Sequence, residues 1–312
     1  MLFSIIVPCF NEEENLRPFL QQVKKEMGEL ITDTELIFID DGSRDGTLNE
    51  VKALGEEESF TIRALSFSRN FGKEAGLFAG LSEAQGDYVG IIDADLQQNP
   101  KYLKEMLEFL RENPDYDCVA AYQKVRKEGK LLSFFKGVFY GLINRLTDVE
   151  FYRSASDFRV LTKKMAKAIV AMPERCRFSK GIFSWVGFRT HYIPYEVAPR
   201  FAGKSKWNFW SLASYAINGI VGFSDKPLII ASVMGLVLFV ISILLMLWVV
   251  IKTILFGDPV AGFPTLCSLI LLLSGIQLLC MGILGQYLAK IHEESKNRPL
   301  YIVREEYDNK KE

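Results

Sequence analysis

Asp93-Ala94-Asp95 sets two carboxylates one residue apart, and Asp40-Asp41-Gly42-Ser43 sets two more in a short polar turn. Carboxylates so spaced at a strand end can jointly face a divalent cation and a diphosphate. Mg²⁺ or Mn²⁺ suits such a place: each is hard, prefers oxygen, and is commonly held by one or two carboxylates completed by phosphate oxygens. The cation would neutralise charge growing on a departing diphosphate. Taken alone, an Asp-x-Asp triplet is weak evidence, because such triplets are common on surfaces, and Asp-Gly-Ser is an ordinary turn. Arg69 and Lys73 stand four apart, where a helix beginning near Gly72 would turn amides and cations toward an anion. The plainer alternative is an ion pair with Glu74 or Asp95. The two histidines, His191 and His292, leave little room for a histidine metal centre or a Ser-His-Asp relay. The five cysteines are odd in number and form no close pair, which fits reduced thiols facing a cytosol and not a disulfide framework or a zinc site.

Strands must carry these groups. Phe3 to Phe10 is a continuous apolar run, as a strand buried on both faces requires. Asn11 is expected to cap a helix whose first turn holds Glu12, Glu13 and Glu14 at the favourable end of the dipole. Further strands are expected at Glu35–Ile39, Ile62–Phe67, Tyr88–Ile92 and Cys118–Tyr122, with a helix opened by Pro100 and running through Arg111. Strands alternating with helices imply an α/β fold with a parallel, doubly wound sheet. The carboxylates then gather past the carboxyl ends of strands two and four, where such sheets bind ligands.

The rest of the chain reads differently. Leu228 to Ile251 and Phe263 to Ala289 are uncharged apolar runs. A run of about 24 residues spans about 36 Å, enough to cross a hydrocarbon core of about 30 Å. The short link between them makes a hairpin with both ends on one side. Lys226 precedes it, and Lys290, Lys296, Arg298, Arg304, Lys310 and Lys311 follow it, while Lys252 alone lies in the outer link. The positive-inside bias therefore places the large domain and the tail in the cytoplasm. No signal peptide is read at the N-terminus. The expected organisation is a cytosolic domain over 1–206, a segment over 207–227, two transmembrane helices at 228–251 and 264–289, and a cytosolic tail over 290–312. Segments 133–147 and 207–227 carry one-sided apolar faces; each is either a core-facing helix or a helix lying among lipid headgroups, and their aromatic and basic content favours the second. A net charge of −1 excludes a global basic field for nucleic acid. Gly275, Gly282 and Gly285 would permit close helix contact within the hairpin or between subunits of a homo-oligomer.

Pro8-Cys9-Phe10-Asn11-Glu12, Asp40 to Thr47 and Asp93-Ala94-Asp95-Leu96-Gln97 resemble the family-2 inverting glycosyltransferases of the GT-A fold. Ser68 to Glu74, Ser156-Asp157-Phe158-Arg159, Met172 to Arg175, Lys180 to Gly187 and Arg200 to Trp207 narrow the likeness to polyisoprenyl-phosphate glycosyltransferases, including bactoprenol glucosyltransferases and dolichyl-phosphate-mannose synthase relatives. With the hairpin, the resemblance covers nearly the whole chain. It implies that Pro8, Glu12 and Asp41 bind the nucleoside, with Asp93 and Lys73 also on the nucleotide-sugar. It implies that Asp95 is the main metal ligand, supported by Asp93 and Gln97. Arg200, Lys204 and Lys206, with Arg159 and Arg69, would hold phosphates of donor or lipid; a headgroup-facing patch is the plainer account of the first three.

Asp157 is the residue the resemblance nominates as catalytic base. A phosphate monoester is already largely a dianion at neutral pH, its second pKa being near 6, so it needs little proton removal. Asp157 would then orient the acceptor instead, or form a buried pair with Arg159. The expected reaction is transfer of one sugar, glucose from UDP-glucose, to undecaprenyl phosphate at the inner face of the cell membrane. GDP-mannose, UDP-N-acetylglucosamine or a UDP-aminoarabinose are alternative donors. A processive polysaccharide synthase would need more spans and a Gln-x-x-Arg-Trp motif, absent from this sequence. A non-catalytic membrane scaffold or lipid translocase is the alternative from a different class.

Overall fold

In a computed structural model, residues 2–123, 152, 155–198, 221–222, 224–256 and 262–310 are described. Segment 133–147 and most of 207–227, read above as interfacial helices, lie outside these residues.

Strand β1 (Phe3–Cys9) is followed by α1 (Glu13–Met27), β2 (Thr34–Asp40), α2 (Thr47–Glu57), β3 (Thr61–Phe67), α3 (Lys73–Glu83), β4 (Tyr88–Ile91), α4 (Lys101–Glu112) and β5 (Cys118–Gln123). Then come β6 (Ala155–Thr162), α5 (Lys163–Val170), α6 (Ser179–Trp185) and β7 (Thr190–Tyr195). The long helices α7 (Lys226–Phe256) and α8 (Phe263–Ser295) precede a last strand, β8 (Val303–Asp308). The eight strands form one sheet in the order β7-β5-β6-β4-β1-β2-β3-β8. Alternate residues of β1 serve opposite cores. Ile5 and Val7 pack with Leu16, Phe19 and Val23 of α1 and Met106 of α4. Ile6 packs on the other face with Leu77 and Leu81 of α3 and with Met165 and Ile169 of α5. That two-sided burial is why β1 and β2 are apolar without alternation.

Two strands depart from the parallel sheet expected. β6 lies antiparallel between β4 and β5, and β8 lies antiparallel along β3. Antiparallel strands commonly join an otherwise parallel sheet of this kind. β8 reads VREEYD because it is an edge strand with charged, exposed side chains, which protect an edge from further pairing. The tail therefore completes the sheet instead of trailing from it. Tyr301 stacks on Phe67 at 4.9 Å, and Ser68 N donates to Ile302 O at 2.9 Å. The expected cap at Asn11 is also corrected: Glu12 occupies the N-cap of α1, and Asn11 sits at φ 56° in a left-handed turn.

α7 and α8 are each long and apolar enough to cross a membrane, over Lys226–Leu245 and Leu272–Ser295. Only 6% and 0% of those windows are buried, unlike the mostly buried core helix of a soluble domain. Among the described residues, a Cβ built on Gly275, Gly282 or Gly285 would meet nothing within 4 Å.

Candidate active site

The carboxyl ends of β1, β2 and β4 lie side by side, and the acidic loops leave from them. Asp40 is buried at the end of β2, where Oδ2 accepts from Ser66 Oγ at 2.6 Å and Oδ1 from Ser43 N at 2.9 Å. Asp41 accepts from Phe71 N at 2.6 Å and from Gly72 N at 2.9 Å, so it fastens the loop that leads into α3. Burial raises the Asp41 carboxyl above its ordinary value, against the pull of these two N–H groups. Gly42, at φ 67°, permits the close approach, since a Cβ there would stand 2.5 Å from the Arg69 carbonyl carbon. Asn11 completes the turn: its N donates to Ser43 Oγ and its Oδ1 accepts from Arg44 N, both at 2.9 Å. Glu12 donates its backbone N–H to Thr47 Oγ1 at 3.0 Å and accepts from Asn15 Nδ2 at 2.5 Å. Pro8 pairs with Ile39 inside the sheet, beside this loop.

Lys73, the first residue of α3, stands at the centre. Its Nζ lies 2.6 Å from Asp93 Oδ1 and 3.3 Å from Asp157 Oδ2, bridging the end of β4 to β6. Burial alone would raise the Asp157 carboxyl, but Lys73, then Lys180 and Arg159, outweigh it and hold it down to about 2. The same pairing raises Lys73 above its usual value, against the cost of desolvating its ammonium. Lys73 thus pairs with Asp93 and Asp157, and Glu74 beside it turns to Ser179. Arg69 turns its guanidinium over the Phe71 ring, 4.4 Å from the centroid.

Asp93 is braced by Gln98, whose Oε1 accepts from Asp93 N at 3.0 Å and whose Nε2 donates to Asp93 Oδ2 at 3.1 Å. Asp95 Oδ1 accepts from Gln97 N at 3.1 Å, across a turn in which Leu96 adopts φ 61°. Gln97 O accepts from Ala198 N at 3.1 Å. Through its backbone Gln97 shapes the turn and holds Asp95, and the Gln98 side chain braces Asp93. Arg159 is 4% exposed; it stacks 3.7 Å from the Phe183 centroid and donates to Ser156 O at 2.8 Å. It lies behind Asp157, where it supports the strand and contributes charge, and not on an open phosphate surface. Arg200, Lys204 and Lys206 lie outside the described residues.

Among the described residues, no three His, Cys, Asp or Glu groups come together to hold a metal ion. An all-protein cage is therefore not built from them. Asp95 and Asp93 are hard oxygen donors, a set that fits Mg²⁺ or Mn²⁺ when substrate phosphates complete the shell. Two supporting residues escaped the sequence reasoning. Gln98 stood beside the quoted Gln97, and only the turn at Leu96 decides which of the two faces Asp93. Glu74 accepts from Ser179 N at 2.9 Å and from Ser179 Oγ, and nothing before the fold joined those distant segments.

Comparison with known proteins agrees with this geometry. Glycosyl transferase family 2 matches residues 4–169, more than half of the chain. The chain is 40% identical to a bactoprenol glucosyl transferase of Shigella phage SfV over 307 residues, 98% of this chain and 99% of that protein. It is 38% identical to a protein of Synechocystis named uncharacterized glycosyltransferase sll0501, over 96% of this chain and 94% of the relative. Among solved structures, the mannosyltransferase PcManGT of Pyrobaculum calidifontis, held with GDP-Man and Mn²⁺, is 17% identical with a TM-score of 0.48, covering 70% of this chain and 61% of that one. That overlay is too loose to carry an argument of its own. The family match and the near full-length identities carry it instead: the chain belongs to glycosyl transferase family 2 and is a glycosyltransferase.

Proposed function

We propose that this enzyme moves one glucose from UDP-glucose onto undecaprenyl phosphate, with inversion at the anomeric carbon, at the cytoplasmic face of the cell membrane. The observation that carries the proposal is the presence, in one chain, of a carboxylate-lysine centre at the strand ends and an outward-facing apolar hairpin. The phage relative's name, bactoprenol glucosyl transferase, supports both the lipid acceptor and the sugar.

The chemistry follows from the groups present. An oxygen of the lipid phosphate bonds to the anomeric carbon as the bond from that carbon to the β-phosphate oxygen breaks. The nucleoside diphosphate leaves with the electron pair, and a single displacement inverts the centre. A divalent cation, Mg²⁺ or Mn²⁺, at Asp95 with Asp93 beside it supplies, when bound, positive charge for the leaving diphosphate. Asp41, with Pro8 and Glu12, bounds the pocket for the nucleoside. Lys73 brings a fixed ammonium to the reacting region, where a preorganised charge stabilises a developing anion. A carboxyl held down to about 2 is a weak proton acceptor at neutral pH, so Asp157 orients Lys73 and leaves deprotonation unnecessary. The acceptor dianion needs no base.

The test uses purified protein in detergent with undecaprenyl phosphate, Mg²⁺ or Mn²⁺, and radiolabelled UDP-glucose, GDP-mannose, UDP-N-acetylglucosamine and UDP-aminoarabinose in turn. Label should pass into the organic phase from UDP-glucose and stop on chelation. Transfer from another donor alone replaces the sugar and keeps the reaction. No transfer from any donor, by folded protein, overturns the proposal in favour of a scaffold or another acceptor.

A further inference from the structure

The last turn of α8 carries Glu293 and Glu294, at the negative end of the helix dipole, where carboxylates are disfavoured by about 0.3–1 kcal/mol. Their contacts account for the placement. Glu294 Oε1 accepts from both Arg175 N, at 2.8 Å, and Cys176 N, at 3.1 Å. Glu293 Oε2 accepts from Cys176 Sγ at 3.2 Å, and Asn297 Oδ1 accepts from Arg175 Nη2 at 3.3 Å. The segment they hold lies between α5 and α6 and has no helix or strand of its own. It folds on itself where Arg177 Nη1 donates to Met172 O, and the Arg177 guanidinium lies 4.6 Å from the Phe78 centroid on α3.

At its other end this segment becomes α6, whose first residue, Ser179, donates to Glu74 through both N and Oγ. Glu74 is adjacent in sequence to Lys73, which bridges Asp93 and Asp157. A continuous set of hydrogen bonds and short covalent links thus runs from the apolar hairpin to the centre of the site: Glu294, Arg175 and Cys176, Ser179, Glu74, Lys73.

We propose that Glu294 is a positioning residue for the transfer: it ties the segment leading into α6 to the end of the hairpin and so sets Lys73 and Asp157 relative to an acceptor carried along that hairpin. This rests on the lipid-phosphate reaction proposed above. Two N–H groups converging on one carboxylate oxygen need an acceptor there, not a negative charge. Glu294→Gln keeps an Oε1 acceptor, whereas Glu294→Ala leaves both amides to water.

The full chain in detergent, with each substitution in turn, is assayed for lipid transfer, for UDP affinity and for thermal unfolding. Misplacement of reacting groups by a fraction of an ångström to 1 Å lowers turnover by about 10- to 100-fold. Glu294→Ala should therefore lower kcat by about tenfold or more, with UDP affinity within about twofold, and Glu294→Gln should recover to within about threefold of the parent. The proposal is overturned by a kcat within about twofold in Glu294→Ala, by equal losses in Ala and Gln, or by parallel losses of UDP affinity and thermal stability, which mark a general structural role. If the parent protein transfers to no lipid phosphate, the proposed function fails. The positioning role, which needs an acceptor on the hairpin, is then overturned with it, whereas lipid transfer by the parent with any of the overturning results above removes the positioning role alone.

Discussion

Lys73 is held between two carboxylates from different strands, and that arrangement decides what Asp157 can do. A group whose folded pKa is depressed adds stability above its ordinary pKa, near 4, and loses that contribution only as the pH falls toward about 2. Asp157 therefore stays charged across the whole range in which the enzyme can be assayed. Asp157→Asn should lower kcat by about 100-fold by releasing Lys73, yet leave the acid limb of the pH profile in place near 6, where the acceptor phosphate titrates. A limb that shifts or disappears in Asp157→Asn would make Asp157 the base after all. The chemistry-bearing residues Asp93, Asp95, Asp157 and Lys73 were legible because their types and motifs announce themselves. Their supports were not. Gln98, Glu74 and Ser179 are ordinary polar residues whose partners come from a turn or from about a hundred positions away, and no local pattern encodes such a pairing. Arg159 shows the converse: its type suggested a phosphate ligand, but its place on β6, under Phe183, buries the guanidinium.

α3 is the element on which the site depends, since Lys73 and Glu74 open it. It lies against β1 and β2 through small residues, and a Cβ on Gly80 would collide with the Ile6 side chain, meeting Cγ2, Cγ1 and Cβ together. In an exposed helix, Gly→Ala gains about 1 kcal/mol. At position 80, overpacking of about 1–3 kcal/mol opposes that gain, and Ile6 is fully buried in a central strand and cannot yield. Gly80→Ala should therefore destabilise the protein in denaturant titration and lower kcat by moving Lys73; a raised midpoint would show that α3 does not pack as closely as described. At this scale β1 to β5 were legible from their apolar runs, because strands buried on both faces admit few polar residues. β6 was hidden by Ser156, Asp157 and Arg159, the polar residues that make it functional. β8 was hidden because an exposed edge selects charge, so VREEYD reads as a solvated tail until it is seen pairing with β3.

That last strand also constrains the whole molecule. The chain leaves the sheet domain, runs through α7 and α8, and re-enters the same sheet as β8. Both ends of the hairpin must therefore lie on the side of any membrane that holds the sheet, independently of the count of basic residues. The charge pattern then supplies the direction. In the orientation proposed above, Lys226, Lys290, Lys296 and Arg298 flank the cytoplasmic ends and Lys252 stands near the far turn, as the bias of basic residues favours. Lys252 lies with its ammonium 5.2 Å from the Trp248 ring centroid, a pairing suited to an interfacial layer where aromatic and basic side chains gather. Substituting Lys252→Cys and Lys296→Cys separately, with the unsubstituted chain as blank, makes both claims measurable with a membrane-impermeant maleimide. Position 252 should label in intact cells and position 296 only after the membrane is opened. The reverse pattern would invert the orientation and put the active site outside the cytoplasm, away from cytosolic nucleotide-sugars. Labelling of both only after opening would mean that the hairpin dips into the membrane without crossing it, and the lipid phosphate would then have to be reached from the side on which the sheet already lies.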